Sequence, residues 1–166
     1  MAKRRRVFEQ GHERKFLVIV DESPEVEAAL FYAACRVAHT HGHLLLLYVI
    51  EPETQFWDSV RQAHLEEQTA KAKALFRLFK RKLAQDGFEA LEVEEVIREG
   101  KIVDQILKQI DDDEDIAVLV LGAAKDNSGP GPLVTSLGAG AMAGSFPIPI
   151  TIVPGALALE DIKALA

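Results

Sequence analysis

Five stretches of this chain read as strands, and the polar residues gather between them. Lys15-Phe-Leu-Val-Ile-Val20, Leu44 to Ile50 and Ile116-Ala-Val-Leu-Val-Leu121 carry almost no polar position to mark a wet face. Strands of that kind are buried on both sides, as in the middle of a parallel sheet. Leu91-Glu-Val-Glu-Glu-Val-Ile97 begins by alternating, which suits a strand with one wetter face at a sheet edge. Pro147-Ile-Pro-Ile-Thr-Ile-Val153 is the fifth.

Helical spacing fills the intervals. Asp21-Glu-Ser-Pro24 is a helix-start signal, with Ser23 as cap, Pro24 at the first helical position, and Glu25 and Glu27 facing the positive helix end. Val26, Leu30, Ala33 and Val37 then form one stripe, and Gly42 ends the connection. Phe56 to Gln85 reads as a long helix with Leu65, Ala72, Phe76, Phe79 and Leu83 on one face, stopped by Gly87. A short helix with Ile102, Val103, Ile106, Leu107 and Ile110 follows Gly100, and a weak one with three glycines spans Leu137 to Ser145. Regular alternation of buried strands and helices predicts a single α/β domain with a parallel sheet and helices on both faces. The expected division is a basic flexible tail over 1–14, the domain over 15–154 and a second tail over 155–166.

Composition adds bounds. A chain of 166 residues that is 48% hydrophobic buries a core without disulfides or metals. The one cysteine, Cys35, has no internal partner, which suits a reducing compartment. No apolar run approaches the ~18 residues of a membrane span. The basic N-terminus lacks the apolar segment of a secretory signal. A soluble cytoplasmic protein is expected. The net charge of −7 conceals +4 over residues 1–15 and −11 over the rest. A body that acidic repels nucleic acid, whose binding depends on phosphate neutralisation.

The candidate chemistry lies where Ile116–Leu121 ends in Gly122 and the character changes to Lys125, Asp126, Asn127, Ser128 and two Gly-Pro pairs. Open α/β sheets bind ligands beyond the carboxyl ends of their strands, at such turns. Phe16-Leu-Val-Ile-Val-Asp21-Glu-Ser23, Leu47-Tyr-Val49, Gly100 before an apolar helix, the Ile116–Gly122 strand and Pro147-Ile-Pro149 stand in an order and spacing that resemble the universal stress protein family. That resemblance implies a five-stranded parallel sheet ordered 3-2-1-4-5 and a homodimer through the last strand, Ile148–Val153, which would otherwise leave an apolar edge open. It implies a stress-response or regulatory module, and members that bind adenine nucleotides as well as members that do not.

In the nucleotide binders, residues at the positions of Asp21 and Val49 hold the adenine and its sugar, and a spaced glycine motif ending in Gly-Ser or Gly-Thr holds the ribose and phosphates. Here Gly122 supplies the first glycine, Lys125 stands at the second, Thr135 at the third, and Ser136 fills the hydroxyl position. The resemblance thus implies ATP or AMP on Asp21, Val49, Gly122, Lys125, Thr135 and Ser136, with no metal except Mg²⁺ carried by the nucleotide. A phosphate cradle needs converging backbone N–H groups, and Pro130 and Pro132 each remove one. Lys125 offers a point charge in return, and adenosine or AMP survives these losses better than ATP. The competing readings are a protein-interaction module with a degenerate pocket, whose long second helix meets an unknown protein partner, and a slow ATPase.

Other features carry less. His39-Thr-His41-Gly-His43 invites Zn²⁺ or Ni²⁺, but a surface corner between helix and strand accounts for it. Asp111–Asp115 lacks the spacing and glycine of a calcium loop and reads as solvated. Trp57 reads as a core or interface anchor. No phosphate-binding Gly-x-x-x-x-Gly-Lys loop, nucleophile elbow or Cys-x-x-Cys occurs, so binding without catalysis is expected.

Overall fold

In a computed structural model, which describes residues 3–52, 57–126 and 128–166, the five strands form one parallel sheet. They are β1 (Lys15–Ile19), β2 (His43–Ile50), β3 (Val93–Glu99), β4 (Ile116–Ala123) and β5 (Ile150–Pro154), in the order β3-β2-β1-β4-β5. The expected architecture and strand order are present.

The two-residue period of a strand divides the core in two. Phe16, Val18 and Val20 point to one face with Leu44, Leu46, Tyr48 and Ile50. There they meet Leu30, Ala33 and Val37 of α1 (Val26–Thr40) and Phe76, Phe79 and Leu83 of α2 (Asp58–Gln85). Leu17, Ile19, Leu45, Leu47, Leu119 and Leu121 point to the other face, against Ile106 and Ile110 of α3 (Ile102–Asp112) and against Val134, Leu137 and Ile148. Central strands buried on both sides explain why their sequences show no alternation. β3, at the edge, is only partly buried, as its alternating start predicts.

Several expectations change. Leu137–Ser145 is not an α-helix: a single π-helical turn spans Val134–Gly138 and a short 3₁₀ turn spans Ala143–Ser145. Gly138, Gly140 and Gly144 make a regular helix there costly in backbone entropy. The last strand starts at Ile150, because Pro147 and Pro149 have no N–H to give the ladder. Ser23 does not cap α1 with its side chain; Glu25 stands at the cap position and Ser23 turns back to Asp21. The residues after Pro154 include a helix, α4 (Leu159–Leu165), whose Ile162 is buried against the α1 face. Arg36 of α1 donates to the Ala166 carbonyl at 3.1 Å. Phe56 lies outside the described residues, and Trp57 is 83% exposed, which removes it from the core of this chain.

The basic segment is not free either. Arg5 donates to the carbonyls of Ile110 at 2.6 Å and Asp113 at 3.0 Å, at the end of α3 where helix carbonyls lack partners and the dipole favours a cation. The Arg6 amide donates to the Glu114 carbonyl, and the His12 ring lies 2.6 Å from Asp115. Lys15 meets Asp113 at 2.8 Å and Glu94 at 3.2 Å. The acidic run is therefore less a solvated loop than the counter-surface for the basic segment.

Candidate functional site

Beyond the carboxyl ends of β1 and β4 lies a cavity of about 310 Å³, near the lower limit for small-molecule pockets. Its apolar walls are Ile19, Leu121, Leu133 and Val134, and its polar walls include Asp21, Ser23 and Glu25. Asp21 follows directly on β1, so the strand fixes its position. Its Oδ1 accepts the Ser23 amide at 2.7 Å and also the Ser23 hydroxyl, which locks the turn into α1. Among the described residues Oδ2 has no donor and no cation pairs with Asp21. Its charge is felt nearby: burial raises the Tyr48 phenol above its ordinary range, and Asp21 raises it further.

Gly122 is required by contact. A Cβ there would sit 2.1 Å from the Glu25 carbonyl oxygen and 3.0 Å from the Glu25 Cβ, so only glycine lets the start of α1 rest on β4. Glu25 thereby becomes a cavity wall, with its carboxylate near Gly131 across the opening: a Cβ on Gly131 would lie 3.8 Å from Oε1. Gly131 and Gly129 adopt φ of +107° and +113°, which bends the loop back over the strand end.

Of the six residues anticipated for the site, Asp21 and Gly122 line this cavity. Val49 is half-buried on the α3 face, and Lys125, Thr135 and Ser136 are exposed; none of these four is a wall. Three of the loop's donors are spent within it: the Ala124 amide bonds the Pro130 carbonyl, the Ser128 amide bonds Asp126, and the Thr135 amide bonds the Gly131 carbonyl. Glu25, Pro130, Gly131 and Pro132 are walls that the sequence reading did not assign. For Glu25 the signal was present, since the first turn of the helix after an Asp-ended strand faces the same opening.

The histidines do not gather. His39 lies 3.0 Å from the Ala166 carbonyl, His41 takes a left-handed φ of 55° at the end of α1, and His43 points to the amino end of the sheet. There His43 Nδ1 is 2.6 Å from Glu13 and Nε2 is 3.3 Å from Glu92. Each ring nitrogen faces its own carboxylate, so the imidazole bridges the two. No helix among the described residues is long and apolar enough to cross a membrane.

An open parallel sheet with a carboxylate-marked cavity at its strand ends belongs to the α/β class whose ligand sites, where present, lie at that end of the sheet. The universal stress protein family model matches residues 13–154, and the chain belongs to that family. Universal stress protein UspA from Lactobacillus plantarum is 24% identical with a TM-score of 0.66, over 84% of this chain and 97% of that one. A universal stress protein from Archaeoglobus fulgidus in complex with dAMP is 17% identical with a TM-score of 0.55, over 84% and 97%. Another universal stress protein, in complex with cAMP, is 18% identical with a TM-score of 0.56, over 84% and 96%. At these identities the likeness is one of fold. No curated protein matches the sequence.

Proposed function

We propose that this chain is a stress-response regulatory module of the cytoplasm that binds an adenine nucleotide, such as ATP or AMP, in the cavity beyond β1 and β4. The observation that carries this reading is Asp21: a strand-end carboxylate with one oxygen free of partners among the described residues, beside an apolar wall of Ile19 and Leu121. Such an oxygen accepts ligand hydroxyl or amine donors, and the apolar wall takes a flat base. Related proteins of the same fold have been seen with dAMP and cAMP, which supports the ligand class. Gly122 keeps the wall in place. Lys125, Thr135 and Ser136 complete the proposed site only if a bound ligand draws the chain after β4 inward, Val49, fixed on β2, only if the ligand reaches across to that strand, and any Mg²⁺ would arrive with the nucleotide.

Calorimetry on wild type and Asp21→Asn tests this. Asn keeps the acceptor for Ser23 and removes the charge. About tenfold weaker binding is expected with an unchanged melting temperature. Equal binding by the variant would remove Asp21 from the site and the reading with it.

The homodimer through the last strand belongs to the same proposal. β5 is a sheet edge with Ile152 exposed at 41%, which a second copy would cover. Ile152→Lys should then give a monomer in light scattering; a dimer unaffected by it would refute this interface. A second reading, docking of a protein partner, is favoured by exposed Trp57 and Val60 at the start of α2. Loss of partner capture in Trp57→Ala, with nucleotide binding intact, would distinguish it.

A further inference from the structure

At the end of the sheet opposite the cavity, His43 opens β2 between two carboxylates that come from other parts of the chain. We infer that His43 and Glu92 form a binding site for a divalent transition-metal ion, Zn²⁺ by the character of the ligands, and that Glu13 positions the ring.

The main chain brings the three side chains together without an ion. The His43 amide donates to the Arg14 carbonyl at 2.9 Å, which sets Glu13 beside the ring, and the Leu44 amide donates to the Glu92 carbonyl at 3.0 Å. The Glu13 amide is tied in turn to Asp115 at 3.3 Å. One oxygen of each carboxylate and one ring nitrogen lie within 4.8 Å of one another. Side chains that converge from separately anchored segments supply the preorganisation a metal site needs. The partners of His43 are therefore remote carboxylates, not the neighbouring His39 and His41.

The ring's hydrogen bonding leaves a place for a cation. Glu13 Oε2 lies 2.6 Å from Nδ1, a short hydrogen bond in which Nδ1–H donates. A neutral imidazole has only that one N–H, so Nε2 turns its lone pair toward Glu92 Oε2 at 3.3 Å. Two facing acceptors need a positive centre between them, either a proton or a metal ion. A protonated ring would draw the second carboxylate in to about 2.7–2.9 Å. The wider separation is instead that of neighbouring ligands on a tetrahedral ion, since Zn²⁺ bonds of about 2.0–2.1 Å set them about 3.3 Å apart.

The surroundings agree. A carboxylate on the far ring nitrogen of a ligating histidine fixes its tautomer and strengthens it as a ligand, and Glu13 stands in that position. An imidazole with a carboxylate suits Zn²⁺ better than Mg²⁺ or Ca²⁺, which take oxygen ligands. Glu92 is largely exposed, so the ion enters from solvent and water completes its coordination. The adjacent cations are engaged elsewhere: Lys15 meets Asp113 and Glu94, and the Arg14 guanidinium lies 4.7 Å from the centre of the Phe16 ring.

The test is calorimetric titration of the untagged full chain with Zn²⁺, after stripping with EDTA and dialysis. One Zn²⁺ per chain should bind, and millimolar Mg²⁺ should not displace it. Glu92→Gln, at an exposed position, should bind at least about tenfold more weakly with an unchanged melting temperature in EDTA, and Glu13→Gln about 10–100-fold more weakly. His39→Gln and His41→Gln should bind as the wild type does. The wild type should also melt at a higher temperature with Zn²⁺ than with EDTA, a gain that Glu92→Gln loses. The cavity lies at the other end of the sheet, so none of these results bears on the adenine reading. Absence of Zn²⁺ binding would overturn the inference and leave a proton on Nε2. Equal binding by wild type and Glu92→Gln would overturn it too, as would a loss of binding in His41→Gln, which would put the ion on the histidine corner.

Discussion

At the amino end of the sheet the charges are matched, whereas at the carboxyl end two carboxylates stand without a cation among the described residues. Arg5, Arg6, His12, Lys15 and His43 meet carbonyls or carboxylates of α3, the Asp113–Asp115 run, Glu13, Glu92 and Glu94. The carboxyl end is built differently. There α1 is seated by backbone against backbone at Gly122, and Asp21 and Glu25 face a cavity. Charge serves cohesion at one end. At the other, a steric fit provides the cohesion, and the charge is left facing a cavity.

The largest effect should come from breaking the steric fit. Gly122→Ala places a methyl 2.1 Å from a backbone oxygen that cannot swing aside, so α1 must shift. A loss of about 3 kcal/mol in urea unfolding is expected; a loss under about 0.5 kcal/mol would show that the contact is soft. Next is Lys15→Ala at the other end. Its side chain is 15% exposed between Asp113 and Glu94, and its removal leaves those carboxylates facing each other. About 1–2 kcal/mol should be lost, between the values for exposed and buried pairs, and less at high salt. Equal losses at low and high salt would point to packing of the stem instead.

Acid should separate the ends further. Burial alone would raise Asp115, but hydrogen bonds from the His12 ring and the Glu13 amide, with the charges of His12 and Lys15, hold it below its ordinary 3.8. A lowered folded value means that its contribution is complete above 3.8 and fades as the pH falls through the folded value. NMR resonances of residues 6–13 should therefore move toward unfolded positions below that pH, and not between neutrality and it. Resonances that stay in place down to the lowest accessible pH would sever the link to Asp115. The smallest effect is expected for Glu25→Gln: stability within about 0.5 kcal/mol of wild type, because no ion pair is lost. A large loss would mean that Glu25 is structural after all.

The same contrast sets what was legible in the sequence. Strand runs such as Leu44–Ile50 and Ile116–Leu121 reveal themselves because burial on both sides demands unbroken apolarity. Asp21 and Gly122 were legible because they end such runs. The docking of Arg5 and His12 was not: their partners, Ile110 and Asp115, lie 105 and 103 residues away, and no local pattern records that pairing. α4 escaped because its buried stripe is little more than Ile162. The glycine-bearing stretch misled, since its spacing is helical while its backbone freedom is not. Glu25 was visible as a helix-start residue, but its second role depends on how closely Gly122 lets two backbones approach.

That approach also bears on the thermodynamics of occupancy. A wall seated by main-chain contact is in place before a ligand arrives, so binding need not recruit order on the Asp21–Glu25 side. The entropy cost of entry falls on the ligand and on the opposite loop. Hydrogen exchange in the first turn of α1 should then hardly respond to a ligand, whereas the residues around Gly131 report its arrival.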